Sequence, residues 1–411
     1  MRFNRDIVRF DMGGIPVAAD TGTGTIVGLT AEGAALADAL AVRDVSREEV
    51  SDSCAELVAY LDGRGFFDEP RQPRLASAYV HVTNRCNLSC IGCYSNDAGR
   101  NRDADPALAS LERALDVLAR LGVTRLVVSG GEPFLRDDLA DIARAARRAG
   151  MDSVSVLTNG ILCTPDRVEP LVGLVDTVAV SFDGTGRAAR AHLRGDQRFE
   201  ALVKAVATVR DAGIAARILP TVHARNVGDI PDYLRLGREL GASVGFSLLS
   251  GSPEVLGDLM PDRTCLTGLA EVLASAGLSA HDADAEPSAR RTLAACRSCG
   301  AGRTGVSVAA DGSLYPCHML HMSPFRLADI FHDPIEDISC ALSAFDLPAV
   351  DALGTCSACG KRYLCGGGCR ARAYLATGRV DGMDPYCAYY DRALDIAVDA
   401  VASTCPTGKE D

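Results

Sequence analysis

Between residues 75 and 82 apolar and polar positions alternate. Ala76, Ala78, Val80 and Val82 form one wholly apolar set and the opposite set is mixed, which predicts a strand. From there to about residue 260, short apolar runs alternate with helical patterns. Residues 126–129, 153–157, 177–182, 216–222 and 244–249 read as strands, and 138–149 and 199–212 as helices. Repeated βα units of this size predict an α/β parallel sheet whose strand C-terminal ends carry the site. Residues 1–72 follow another pattern, with short strands at 6–10 and 24–29. Thr30 caps a helix running through 34–42. A second capping signal, Ser46-Arg47-Glu48-Glu49, precedes an apolar face of Val50, Leu57, Val58 and Leu61. Residues 69–74 read as a Pro-punctuated linker, and 261–290 as a connector with a helix near 266–274. A cysteine-rich unit is expected over 291–390, with a helix and tail over 391–411.

Hydrophobic residues are 47% of the 411, ample for a large core. No apolar run is long enough to span a bilayer, and no basic start leads into an apolar stretch, so a soluble cytoplasmic protein off the membrane is expected. The net charge of -12 argues against nucleic acid as a partner. Only Lys204, Lys361 and Lys409 are lysines, a composition bias from which no function follows.

The sixteen cysteines change the picture. A large chain without a secretory start uses such cysteines for metals rather than disulfides. Cys86, Cys90 and Cys93 stand at C-x3-C-x2-C spacing on the loop that leaves the strand ending near Val82. Close thiolates of this kind hold iron–sulfur clusters or soft metals, and three ligands leave one iron of a cubane open. The loop alone also fits a zinc knuckle or redox cysteines. Ser129-Gly130-Gly131-Glu132-Pro133 ends the second strand, where glycines let backbone approach a ligand and a carboxylate accepts from an ammonium. Thr158-Asn159-Gly160 ends the third strand and Ser181-Phe182-Asp183-Gly184 the fourth. Arg194 follows, with a guanidinium matched to a carboxylate. Eight more cysteines lie towards the C-terminus: Cys296, Cys299, Cys317, Cys356, Cys359, Cys365, Cys369 and Cys387. Zinc would have to bind twice to use them. Cys54, Cys163, Cys265, Cys340 and Cys405 remain as ordinary thiols.

The cysteine loop with its "GGEP" segment resembles the radical S-adenosylmethionine (SAM) enzymes. The resemblance implies a partial (β/α)6 TIM-like barrel. It also implies a 4Fe–4S cluster on Cys86, Cys90 and Cys93 whose fourth iron takes SAM, and hydrogen abstraction by a 5′-deoxyadenosyl radical. SAM contacts then fall to Gly130, Gly131, Glu132, Asn159, Ser181, Asp183 and Arg194. Gly92 departs from the family, which often has an adenine-contacting aromatic residue there. The C-terminal pattern resembles the SPASM extension of peptide maturases, which binds two auxiliary clusters. The resemblance assigns Cys296, Cys299, Cys317 and Cys369 to the first and Cys356, Cys359, Cys365 and Cys387 to the second, three 4Fe–4S clusters in all. Residues 1–72 resemble the winged-helix domains that hold a leader peptide as an added strand.

The implied function is a maturase that oxidatively modifies a ribosomally made precursor peptide, forming a crosslink or thioether. Its partners are that peptide and a flavodoxin- or ferredoxin-type reductant. A sulfatase-type formylglycine maturase is the alternative, but those relatives carry an aspartate base after the cysteine matched to Cys317. Here His318 stands there, a candidate base or a packed histidine. A non-catalytic iron–sulfur scaffold is a third reading, against which the SAM-contact set speaks.

Overall fold

A computed structural model describes residues 1–70, 73–96, 99–195, 198–276 and 293–403. Cys405, the end of the expected connector (277–290), part of the linker (71–72) and the tail (404–411) lie outside them.

The chain begins with β1 (Ile7–Met12), β2 (Ile15–Asp20) and β3 (Ile26–Gly28), an antiparallel sheet with β2 in the middle. β2 was not legible: its small Ala18 and Ala19 give little strand signal. α1 (Ala31–Val42) starts at Thr30, whose hydroxyl accepts the Gly33 N–H at 3.1 Å. The Ser46 capping box forms, but it closes only a 3-10 turn, and α2 begins later, at Ala55–Gly63. Period-two alternation in β2 splits its contacts. Ala18 faces Phe3, Leu40, Leu61 and Phe66 beneath α1 and α2. Val17 faces Leu364, Leu394 and Val398, and Ala19 faces Ala295, Val350 and Tyr363. The sheet is thus clamped between its own helices and the cysteine-rich unit.

The central unit runs β4 (Ser77–His81), α3 (Leu108–Arg120), β5 (Arg125–Ser129), α4 (Leu139–Arg148), β6 (Ser153–Thr158), α5 (Pro165–Val168) and β7 (Thr177–Phe182). It continues through α6 (Phe199–Asp211), β8 (Ala215–Val222), α7 (Ile230–Leu240), β9 (Ser243–Val244), β10 (Ser247–Leu248), α8 (Pro253–Leu256) and α9 (Arg263–Ser275). The strand expected over 244–249 is broken into β9 and β10 around Gly245 and Phe246. Strands β4 to β8 pair in parallel and in sequence order, with β9 and β10 both on β8. Ala78, Val80 and Val82 are buried in the same core as Leu111, Leu115 and Leu118 of α3, as the alternation predicts.

The barrel is partial and does not close. The free edge of β4 is taken by β11 (Gly305–Val308), which pairs in parallel with it and leads to β12 (Ser313–Tyr315) and β13 (Ala328–Asp329). A ten-stranded sheet results, in which the C-terminal unit extends the barrel wall. The remaining elements are α10 (Ile335–Ala344), α11 (Gly354–Ser357), α12 (Arg362–Cys365), α13 (Arg370–Thr377) and α14 (Cys387–Ala402). α14 returns to the barrel, where Arg392 pairs with Glu271 of α9 at 3.1 Å. Among the described residues no helix is long and apolar enough to cross a membrane.

Candidate active site

The cysteine loop leaves β4 and is bonded at once to the loop after β5. Gly131 N–H donates to Thr83 O and Glu132 N–H to Arg85 O, both at 2.8 Å. A Cβ on Gly130 would lie 2.4 Å from Thr83 O, and one on Gly131 2.0 Å from Arg85 O, so no side chain fits where the two backbones cross. Asn101 supports the loop from outside, accepting the Cys86 N–H at 2.7 Å while holding a left-handed φ of 59°. Arg100 donates to Ser95 O at 2.8 Å and reaches Cys93 Sγ at 3.5 Å. Nothing in the spacing singled out Arg100 or Asn101; their role depends on how the loop folds back.

Gly92 has a physical reason to depart from an aromatic residue. Its φ is +68°, and a Cβ there would stand 2.9 Å from Leu249 Cδ1 and 3.0 Å from Leu256 Cδ2.

Cys86, Cys90 and Cys93 line one cavity of about 210 Å³ at the C-terminal ends of the parallel strands. Gly130, Gly131, Asn159, Ser181, Arg194 and His318 line it too. Burial pushes the Cys86 and Cys90 thiols up, and the positive charges of Arg100 and Arg194 act in the opposite direction. The Nε and Nη1 atoms of Arg194 are buried with no hydrogen-bond partner among the described residues. Two unpartnered guanidinium nitrogens on a cavity wall call for an anion. Three thiols beside a guanidinium with two unpartnered nitrogens fit a three-cysteine cluster and a ligand with a carboxylate. Among the described residues no three His, Cys, Asp or Glu side chains converge on a single-ion site.

Two of the residues expected at the ligand, Glu132 and Asp183, do not line the cavity. Glu132 is fully buried and does not line the cavity. Its carboxylate accepts from Thr158 Oγ1 at 2.7 Å, Asn159 N–H at 2.8 Å and Phe134 N–H at 3.1 Å, latching the β5 loop to the β6 loop. Burial raises its pKa, and these bonds oppose the rise. Asp183 is 6% exposed and its Oδ2 accepts the N–H groups of Leu193 at 2.7 Å and Arg194 at 2.9 Å. It holds the segment that carries Arg194. Leu193 O in turn accepts the Ile91 N–H at 2.8 Å, so this segment also braces the cysteine loop.

The cavity's other wall comes from the cysteine-rich unit. His318, next to Cys317, stacks on Tyr79 with ring centroids 4.2 Å apart and meets Tyr94 edge-on at 5.1 Å. The Tyr94 hydroxyl bonds Ser129 Oγ at 2.6 Å. Burial holds His318 down to about 4, so its ring is neutral at pH 7. Met319 and Arg372 also face the cavity. Neither was legible, because only the pairing of β11 with β4 brings this segment over the barrel mouth.

Seven of the eight C-terminal cysteines fall into two neighbourhoods. Burial pushes Cys387 up to about 11, and the proximity of Cys365, Cys356 and Cys359 adds to it. The half-buried Cys369 is raised by burial and has Cys299 as an electrostatic neighbour; Cys317 packs on the same apolar cluster as Cys369. Cys296 is set by its N–H bond to Tyr363 O at 2.7 Å, and its sulfur leaves room only for a glycine at 366.

An open parallel barrel with a three-cysteine loop at its mouth, walled by a second cysteine-rich unit, defines a cluster-bearing α/β enzyme class. The chain matches the Radical SAM superfamily over residues 80–237 and SPASM, the iron-sulfur cluster-binding domain, over 296–360. It is 31% identical over 341 residues to the PqqA peptide cyclase of Ruegeria pomeroyi, covering 77% of this chain and 87% of that one. It is 28% identical over 319 residues to the mycofactocin maturase MftC of Mycobacterium tuberculosis, covering 74% and 81%. Among solved structures it is similar to Streptococcus suis SuiB bound to precursor peptide SuiA (TM-score 0.58, 16% identity, 93% and 98% covered). It is also similar to anSMEcpe with bound AdoMet and Cp18Cys peptide (TM-score 0.64, 18% identity, 80% and 100% covered). These two likenesses bear on the fold. The chain belongs to the radical SAM superfamily, in its SPASM-bearing branch, and iron–sulfur clusters and SAM are its implied cofactors.

Proposed function

We propose that this protein is a radical SAM maturase that oxidatively modifies a ribosomally made precursor peptide, forming a crosslink or thioether. The observation that carries this reading is the shared cavity: the Cys86, Cys90 and Cys93 loop forms one wall, and the His318–Met319 segment beside Cys317 forms another. A substrate held there lies between the proposed SAM cluster and the first proposed auxiliary cluster. The curated relatives named above, a peptide cyclase and a maturase, support a peptide as the substrate.

In this reading Cys86, Cys90 and Cys93 hold one 4Fe–4S cluster. Cys296, Cys299, Cys317 and Cys369 hold a second, and Cys356, Cys359, Cys365 and Cys387 a third. When bound, the first cluster and SAM together supply a carbon-centred radical that removes a substrate hydrogen atom. The chain's own part is positioning. Arg194 pairs the SAM carboxylate, Ser181 and Asn159 offer polar contacts, and Gly130 and Gly131 let the ligand reach the backbone. Glu132 and Asp183 fix these groups from behind. Tyr79, Tyr94 and His318 form an aromatic wall of the site. Residues 1–72 take part of the precursor by strand addition at the short edge strand β3. A flavodoxin- or ferredoxin-type protein delivers the electron, and the cytoplasm is the place of action. The formylglycine reading loses its aspartate to a His318 ring stacked on Tyr79 and met edge-on by Tyr94.

The test is iron and sulfide content of the anaerobically reconstituted protein, with 5′-deoxyadenosine as the product read. About twelve irons per chain, counting three cubanes, with SAM cleavage, is the expected result. About four irons would sink the auxiliary ligand sets. Replacing Cys86, Cys90 and Cys93 together with alanine is expected to abolish 5′-deoxyadenosine; its persistence would sink the site assignment.

A further inference from the structure

Asp384 stands between two cysteines that the proposed ligand sets place on different clusters. Its Oδ2 accepts the Cys369 N–H at 2.6 Å, and its backbone carbonyl accepts the Cys387 N–H at 3.0 Å. Its Oδ1 also accepts the Tyr386 N–H at 2.9 Å. The residue is 2% exposed, and a bidentate pair fixes it: Arg372 Nε lies 3.1 Å from Oδ1 and Nη2 lies 2.9 Å from Oδ2. Arg372, equally buried, is covered by the rings of Tyr386 at 4.8 Å and Tyr390 at 5.6 Å. It also lines the cavity. The Tyr386 hydroxyl donates to Leu249 O at 2.7 Å, on the cavity's barrel side.

The glycine run 366–368 carries the chain from Cys365, assigned to one cluster, to Cys369, assigned to the other. A Cβ on Gly368 would stand 2.6 Å from Asp384 Oδ2, so the crossing is packed directly on this carboxylate. A buried ion pair is weak as a source of stability, but it fixes geometry closely. A charge-assisted bond to the backbone of a ligating residue orients that ligand and tunes what it holds.

We propose that Asp384 is a positioning residue shared by both auxiliary clusters. Its side chain sets Cys369, its main chain sets Cys387, and its pairing with Arg372 ties both to the cavity wall. The inference rests on the ligand sets proposed above.

The experiment places Asp384→Asn in the full chain whose Cys86, Cys90 and Cys93 are alanine, so that only the auxiliary clusters report. Iron content is measured with the electron paramagnetic resonance spectrum and the reduction potentials of both centres. The expected result is an unchanged iron load with both centres shifted in lineshape and potential. A shift in one centre alone, or in neither, overturns the proposal while leaving the ligand sets standing. Loss of the auxiliary iron from the parent, before Asp384 is touched, would instead mark failure of the ligand sets. Should Asp384→Asn not assemble, Asp384→Glu keeps the charge but displaces the acceptor, and the same joint shift is expected; unchanged spectra overturn the proposal. Tyr390→Phe removes a hydroxyl that bonds Arg372 and is expected to leave both centres unmoved. If it shifts them as Asp384→Asn does, general packing explains the effect and the shared role is wrong.

Discussion

Asp183→Ala isolates the step by which the fold presents Arg194 to its proposed ligand. One buried carboxylate oxygen accepts two main-chain N–H groups, at 2.7 and 2.9 Å, and both belong to the 193–194 segment. Hydrogen bonds to a charged acceptor contribute about 1.5–3 kcal/mol each, and orphaned buried donors cost about 1–3 kcal/mol each. Water admitted by the truncation recovers part of this, which leaves a local loss of roughly 3 kcal/mol. If ordering of Arg194 carries most of that loss, SAM affinity falls by about a hundredfold, at 1.4 kcal/mol per decade. Asp183→Asn keeps one acceptor oxygen, and about a tenfold loss is expected. Equilibrium dialysis of SAM against reconstituted protein of matched iron content is the assay, with Arg194→Ala as the reference. The reasoning is refuted if Asp183→Ala binds SAM within twofold of wild type while Arg194→Ala does not. Because Leu193 O braces Ile91, iron content must be checked in the same samples.

Three further outcomes follow from the packing. Gly92→Ala forces a side chain into left-handed backbone against Leu249 and Leu256, costing about 1–2 kcal/mol from conformation alone; less iron on the cysteine loop and less 5′-deoxyadenosine are expected, and wild-type values of both would contradict the account. Burial holds His321 at about 4, below its ordinary 6.5. A base depressed on folding contributes stability that is complete above about pH 6.5 and lost as pH falls towards 4. Unfolding free energies from urea titrations are therefore expected to fall between pH 7 and 5, by at most about 2 kcal/mol from this residue, with a flatter slope in His321→Gln; equal slopes would refute the assignment. Tyr386→Phe leaves Leu249 O without its buried donor and is expected to cost about 1 kcal/mol, read as a lower melting temperature with unchanged cluster spectra.

Local chemistry was legible in the sequence because it depends on residues close together along the chain. The alternation before Val82 marked β4, Thr30 marked the start of α1, and the C-x3-C-x2-C spacing marked a loop that does line the cavity. What escaped depends on residues far apart. Glu132 and Asp183 sit in segments that do reach the site, yet their carboxylates are consumed by backbone donors from neighbouring loops, a fact set by how strands β5 to β7 lie side by side. The pairing of β11 with β4 joins Gly305 to Ser77 across more than half the chain, and no short-range pattern records it. That one pairing puts Tyr79 under His318, and so brings the segment beside Cys317 over the mouth that holds Cys86, Cys90 and Cys93. Through four residues of parallel sheet, the cysteine loop and the His318–Met319 segment beside Cys317, more than two hundred residues apart, become walls of a single cavity.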